Sequence, residues 1–139
     1  MYFPETGIKF VMETQTESLE VGFPPEPRTA ALARTAVAVM GADLPERVRS
    51  DVALLTSEVV SNAITHAALG PSDEITIRIT LGSNVRVEVL DPGSMFDPGP
   101  RQRTDSKGWG LFFVDTLATA WGIQPERTGK RVWFEMTLD

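Results

Sequence analysis

The chain contains no cysteine, so no disulfide can staple it and no thiolate can hold a metal. It has a single histidine, His66, which leaves too few nitrogen and sulfur ligands for a zinc centre. The lack of cysteine fits the reducing cytoplasm, which is the expected location. No apolar run approaches the roughly 18 residues that span a bilayer, so no membrane association is expected. The opening "MYFPETGIKF" lacks the basic and apolar regions of a signal peptide. Positive charge is also scarce. Thirteen Lys and Arg face 19 Asp and Glu, giving a net charge of −6. Nucleic acid requires a basic face to displace its counterions, so direct nucleic-acid binding is not expected.

What is present suits one domain with its own core: 139 residues, 42% of them hydrophobic. Residues 1–8 carry little pattern and read as a disordered N-terminus, leaving 9–139 as the domain. "IKFVM" and "SLEVGF", within 9–23, read as one or two strands. "PPEP" at 24–27 breaks the chain, because proline lacks the N–H that a ladder needs. From Arg28 to Met40, Leu32, Ala36, Val39 and Met40 recur at helical spacing, and Gly41 ends the segment. A second helix is expected from Asp43 as cap and Pro45 in the first turn to about Ala68. Its apolar stripe is Val48, Val52, Leu55, Val59 and Ala63.

"ITIRITL" (75–81) and "VRVEVL" (85–90) alternate with period two around "GSN", a hairpin signal with Arg86 and Glu88 outward. Residues 91–108 form a long loop of the kind that is often functional. A third helix is expected over "GLFFVDTLATAWG", with Leu111, Val114, Ala118 and Trp121 on one face and Gly122 as terminator. "RVWFEMTL" (131–138) is a last strand after a turn at Thr128–Gly129. Phe112, Phe113, Trp121, Trp133 and Phe134 sit at core spacing. Helices and strands are segregated, so the fold class is α+β: a two-layer sandwich with helices on one face of a mixed, mostly antiparallel sheet.

Three polar features interrupt this pattern. Glu58 and Asn62 are four residues apart on one helix face, and a carboxylate beside a carboxamide suits proton transfer and a Mg2+ ion. Asp91 ends a strand before Pro92 and Gly93, where a carboxylate can accept from an amine. Gly108 and Gly110 precede a helix, whose N-terminus favours an anion, with Lys107 adding charge. Taken singly, each has a plainer reading: a solvated helix face, a common turn, a flexible loop. Arg101, Arg103 and Lys107 form the densest basic patch, either solvated or placed to approach a phosphate.

Their order is more informative than any one of them. E-x-x-x-N on a helix, then a strand ending D-x-G, then G-x-G-L at a helix start resembles the ATPase fold of gyrase B, sensor histidine kinases and MutL. "LLTSEVVSNAITHA", "VRVEVLDPG", "KGWGLFFVDTLATAWG" and "GKRVWFEM" resemble the small histidine-kinase-like ATPase domains related to anti-sigma-factor serine/threonine kinases. The resemblance covers about residues 20–138 and implies a Bergerat-type ATP-binding fold. It implies ATP and Mg2+ as cofactors, Glu58 as catalytic base and Asn62 as the Mg2+ ligand. Asp91 would accept from the adenine amine and Gly93 would admit the ring. Lys107, Gly108, Gly110 and Leu111 would cradle the phosphates.

The chain departs from the family pattern at three places. Met95 stands where many relatives carry a second glycine after Asp91. Trp109 separates the later glycines, and Arg131 stands where relatives often have Thr. His66 lies inside the second helix with no helical hairpin before the domain, so it reads as structural support rather than a phosphorylated histidine. The expected function is transfer of the ATP γ-phosphate to Ser or Thr of an antagonist protein, with sequestration of a sigma factor. The alternative is a non-catalytic partner-binding module of the same fold. Relatives of this kind are often homodimers.

Overall fold

Period-two alternation and helical periodicity sort the chain into two layers. A computed structural model gives the arrangement and describes residues 2–3, 8–13, 15–67, 69–93 and 109–138. The sheet is built from β1 (Tyr2–Phe3), β2 (Ile8–Glu13), β3 (Thr16–Phe23), β4 (Ile75–Leu81), β5 (Asn84–Asp91), β6 (Ala120–Glu126) and β7 (Gly129–Thr137). The order is β1-β2-β3-β4-β5-β7-β6. The helices are α1 (Thr29–Met40), α2 (Glu46–His66) and α3 (Trp109–Leu117). They pack on one face of the sheet, so the α+β two-layer sandwich stands. Every pairing among the described residues is antiparallel, so the sheet is not mixed.

Alternation explains the core. Ile75, Ile77 and Ile79 of β4, Val85, Val87 and Val89 of β5, and Val132, Phe134 and Met136 of β7 all point to the helices and are buried. Each such side chain contributes about 1.5–3 kcal/mol by leaving water. The α2 stripe of Val48, Val52, Leu55, Val59 and Ala63 meets them as expected.

Several expectations need correction. In α1 the buried residues are Thr29, Ala30, Ala33 and Val37; of the expected stripe Ala36 and Met40 pack against the core, while Leu32 and Val39 are exposed. Alanines 30 and 33 lie on the face that packs inward, and Leu32 and Val39 fall on the opposite side. Asp43 does not cap α2. Pro45 is the N-cap residue, with ψ 142° and no side-chain cap bond. Its fixed φ already sets the turn into the helix.

The largest difference is at residues 118–126. The third helix stops at Leu117, and Ala120–Glu126 is edge strand β6, paired with β7 from Ala120↔Glu135 to Glu126↔Gly129. The Thr119 N–H donates to the Glu135 carbonyl at 2.8 Å, so the chain leaves the helix to complete the sheet. Trp121 and Gly122 therefore sit on a strand. The Trp121 indole N–H donates to Asp115 at 2.9 Å, back onto α3. The last strand also begins earlier than expected, at Gly129, because the β6–β7 hairpin is tight.

Arg86 and Glu88 do face away from the helices, yet Glu88 is buried. Arg78, Arg86 and Arg131 surround it, with Arg131 Nη1 at 2.9 Å and Arg78 Nη1 at 3.3 Å. Burial alone would lower the Arg78 pKa. Its hydrogen bond and charge contact with Glu20, then Glu88, outweigh that and hold it above its ordinary value. Trp133 belongs to this outer face rather than the core, with the Arg86 guanidinium 4.2 Å from the ring centroid.

Candidate nucleotide site

Helix α2 carries the first two candidate residues. Glu58 and Asn62 are one turn apart on the same face, beside the buried stripe rather than within it. Both are half-buried. The Asn62 Nδ2 atom is buried and has no hydrogen-bond partner among the described residues. An unmatched buried amide costs about 1–3 kcal/mol, so this group calls for a partner that the described residues do not supply. An N–H donor of this kind fits a ligand that offers an acceptor, and it leaves the carboxamide oxygen as the atom that could meet a metal. The next turn ends α2 at His66.

Strand β5 delivers the third. Val85, Val87 and Val89 face the helices, and period two puts Asp91 on the same side. Its Oδ1 accepts from the Gly93 N–H at 2.9 Å, which closes the Asp-Pro-Gly turn. Gly93 packs directly on the end of α2, where a Cβ would collide with the carbonyl oxygen of Ala67. Asn62 and Ala67 are separated by about 7.5 Å along the helix axis. The Asp91–Gly93 turn thus packs on the C-terminal end of α2, with Asn62 the nearer of the two α2 candidates and Glu58 about 13.5 Å from Ala67 along the axis.

Sequence reasoning missed Lys130. In β7 it pairs directly with Asp91, and both side chains lie in the helix-facing layer. Lys130 Nζ donates to Oδ1 at 3.1 Å. It lies still closer to Oδ2, at 2.9 Å, but off the hydrogen-bonding direction. The two side chains are 1% and 0% exposed. The sequence did carry a signal: Lys130, Val132, Phe134 and Met136 share one alternation, so the lysine stands in an inward position.

The fit to Mg-ATP is therefore uneven. Glu58 and the unmatched Asn62 amide suit the phosphate and metal end. Asp91, expected to meet an adenine amine, already faces an internal ammonium. A recess of about 330 Å3 at these strand ends is lined by Glu74, Thr76, Leu90, Asp91, Lys130 and Arg131, among others. The recess thus borders the Asp91–Lys130 pair, and neither Glu58 nor Asn62 lines it.

Lys107 and Gly108 lie outside the described residues, as do Arg101 and Arg103. Gly110 and Leu111 fall in the first turn of α3, which packs against α2. A helix does begin where the glycines were expected to introduce one.

Comparison with known proteins agrees with this fold. No curated protein matches the chain. The structure of the RsbU and RsbW domains of Rv1364c from Mycobacterium tuberculosis superposes with a TM-score of 0.69 at 20% identity, over 87% of this chain and 32% of that one. The histidine kinase domain of the Erythrobacter litoralis EL346 blue-light activated histidine kinase gives 0.57 at 20% identity, over 84% of this chain and 62% of that one. A second structure of that kinase gives 0.57 at 22% identity, over 84% of this chain and 42% of that one. The chain spans less than two thirds of each, and identities this low show the fold alone. The family model described as "Histidine kinase-like ATPase domain" matches residues 23–136. With most of its length so matched, and with the sandwich and the order of its polar motifs in agreement, the chain belongs to the histidine kinase-like ATPase domain family.

Proposed function

We propose that the chain is an ATP-dependent regulator of the anti-sigma-factor type, which transfers the γ-phosphate to a Ser or Thr of an antagonist protein. The observation that supports it is the placement of Glu58 and the unmatched Asn62 amide on one face of α2, the helix whose end packs on the Asp91–Gly93 turn. In this reading Asn62 holds Mg2+ through its carboxamide oxygen. Glu58 accepts the proton of the attacking hydroxyl. Backbone N–H groups at Gly108 and Gly110 receive the phosphates, with Leu111 closing the first turn of α3 and Lys107 adding positive charge. The bound Mg-ATP supplies the phosphoryl group and the charge that neutralises it. Such transfer needs positioning and electrostatics more than covalent chemistry, so this small set suffices. A sigma factor held when no antagonist competes, a homodimer and a cytoplasmic setting complete the proposal.

A second reading rests on a specific observation. The Asp91–Lys130 ion pair fills the base end of the site, which favours a partner-binding module with little or no turnover. Incubation with γ-labelled ATP and candidate antagonist proteins separates the two. The kinase reading expects label on the partner, lost in Glu58→Gln while nucleotide binding persists. Nucleotide binding with no transfer to any partner would leave the module.

A further inference from the structure

We propose that Lys130 occupies, at the Asp91 carboxylate, the place that a purine's exocyclic amine would need, so that this chain does not select for a 6-amino base. The inference rests on the Mg-ATP reading above and concerns its base end.

The geometry is specific. Asp91 and Lys130 are direct partners in the β5–β7 ladder, so their side chains emerge side by side into the helix-facing layer. The Oδ1 atom accepts from both the Gly93 N–H, at 2.9 Å, and Lys130 Nζ, at 3.1 Å. Oδ2 takes no directed bond, yet it lies 2.9 Å from the ammonium and has no contact with solvent. An entering amine therefore finds no open approach to either oxygen. The lysine is also held in place by its backbone. The preceding Gly129 has φ +104° and packs so closely on the Asp91 carbonyl that a Cβ there would collide with it. Swinging Lys130 aside would also give up its ion pair with the fully buried Asp91 carboxylate.

The energetic consequence follows from comparing bound and free states. An amine strengthens binding only by as much as its hydrogen bond exceeds what the carboxylate has without it. Here the carboxylate already holds a charged donor, and a neutral N–H is the weaker replacement. A site that reads the amine through a free carboxylate should reject its oxo analogue by about tenfold or more. This chain should lose that discrimination, and Lys130 is the residue that removes it.

The test is the ratio of dissociation constants for ATP and inosine triphosphate, with Mg2+, in the wild type and in Lys130→Thr. Inosine triphosphate replaces the 6-amino group by a carbonyl and leaves the phosphates unchanged. The wild type should bind the two within about threefold, and Lys130→Thr should prefer ATP by about tenfold. A wild type that prefers ATP by more than about threefold overturns the inference, as does a folded Lys130→Thr that still fails to discriminate. Should the variant not fold, the wild-type ratio decides. Should the wild type bind neither nucleotide, the variant decides: a gain for ATP alone supports the proposal. In each of these overturning results nucleotide still binds, so the Mg-ATP reading survives. If no folded protein binds either nucleotide, that reading falls and the inference falls with it.

Discussion

Lys130 Nζ sits 2.9 Å from Oδ2 of Asp91, and neither side chain is more than 1% exposed. A pair this deep is costly to break from one side, because the remaining charge stays buried and loses its close counter-charge. Lys130→Met is expected to lower the unfolding free energy by about 3–5 kcal/mol. Asp91→Asn should cost a similar amount. The double variant Asp91→Asn/Lys130→Met removes both charges together and should recover most of the loss. Urea denaturation of the four proteins forms the cycle. Additive losses in the double variant would mean that the pair does not act as a unit.

The Asn62 amide predicts the opposite sign. Its Nδ2 is buried and unmatched among the described residues, so truncation removes a penalty along with the side chain. Asn62→Ala should leave the unfolding midpoint unchanged or slightly raised, since alanine is also the better helix former. In the same protein, Mg2+-dependent ATP binding should disappear. Titration with and without Mg2+, beside a thermal melt, measures both. Unchanged Mg2+-dependent binding would remove the metal role, and a loss of several kcal/mol would make Asn62 a structural residue instead.

These two sites differ in how much of them the sequence exposed. Glu58, Asn62, Asp91 and the later glycines stood out because each breaks an apolar pattern, and their order carried the family. Lys130 breaks a pattern too, but seeing it required the register of β7 against β5. That register depends on where the strand starts, and the turn at Gly129 hid it. The end of the third helix, beyond Leu117, failed for a related reason. "ATAWG" keeps helical spacing, yet its residues pair with β7, and a non-local ladder has no local signature. The α1 face was half legible: Ala36 and Met40 pack on the core, but spacing does not say which neighbouring positions share that face. Alanines 30 and 33 do, and Leu32 and Val39 do not. The α2 stripe and the β4–β5 hairpin were legible throughout, since each has one buried face with strict periodicity.

On the outer face, Glu88 is the centre of the charge network. It is 6% exposed at the side chain, with three arginines within 3.6 Å. Glu88→Gln would leave those guanidiniums crowded around a neutral group. The arginines are 26–36% exposed, so water shields part of the repulsion. Arg78 also keeps Glu20 at 2.6 Å. The expected loss is about 1–3 kcal/mol, smaller than for the Asp91–Lys130 pair. It should shrink as salt is raised, because screening weakens like-charge repulsion. Denaturation midpoints at low and high NaCl give the comparison, and a loss independent of salt would point to packing instead.

Two glycines frame the Asp91 turn, and substituting each by alanine should have different effects. At Gly93 a Cβ meets Ala67 at the last turn of α2, and the end of a helix can shift to relieve it. Gly93→Ala should cost about 1–3 kcal/mol, as overpacking does. At Gly129 two penalties combine. The backbone holds φ +104°, which L side chains rarely adopt, and the added carbon strikes the backbone of Asp91 and Pro92. Those atoms belong to the β5 end and its turn, where the ladder with β7 leaves little room to move. Gly129→Ala should therefore lose more than Gly93→Ala, and it should pull Lys130 off Asp91. Backbone amide exchange reads both effects: loss of protection at Lys130 and Arg131 for Gly129→Ala, and at the last turn of α2 for Gly93→Ala. Equal losses with protection intact in β7 would show that the positive φ is not what requires glycine at 129.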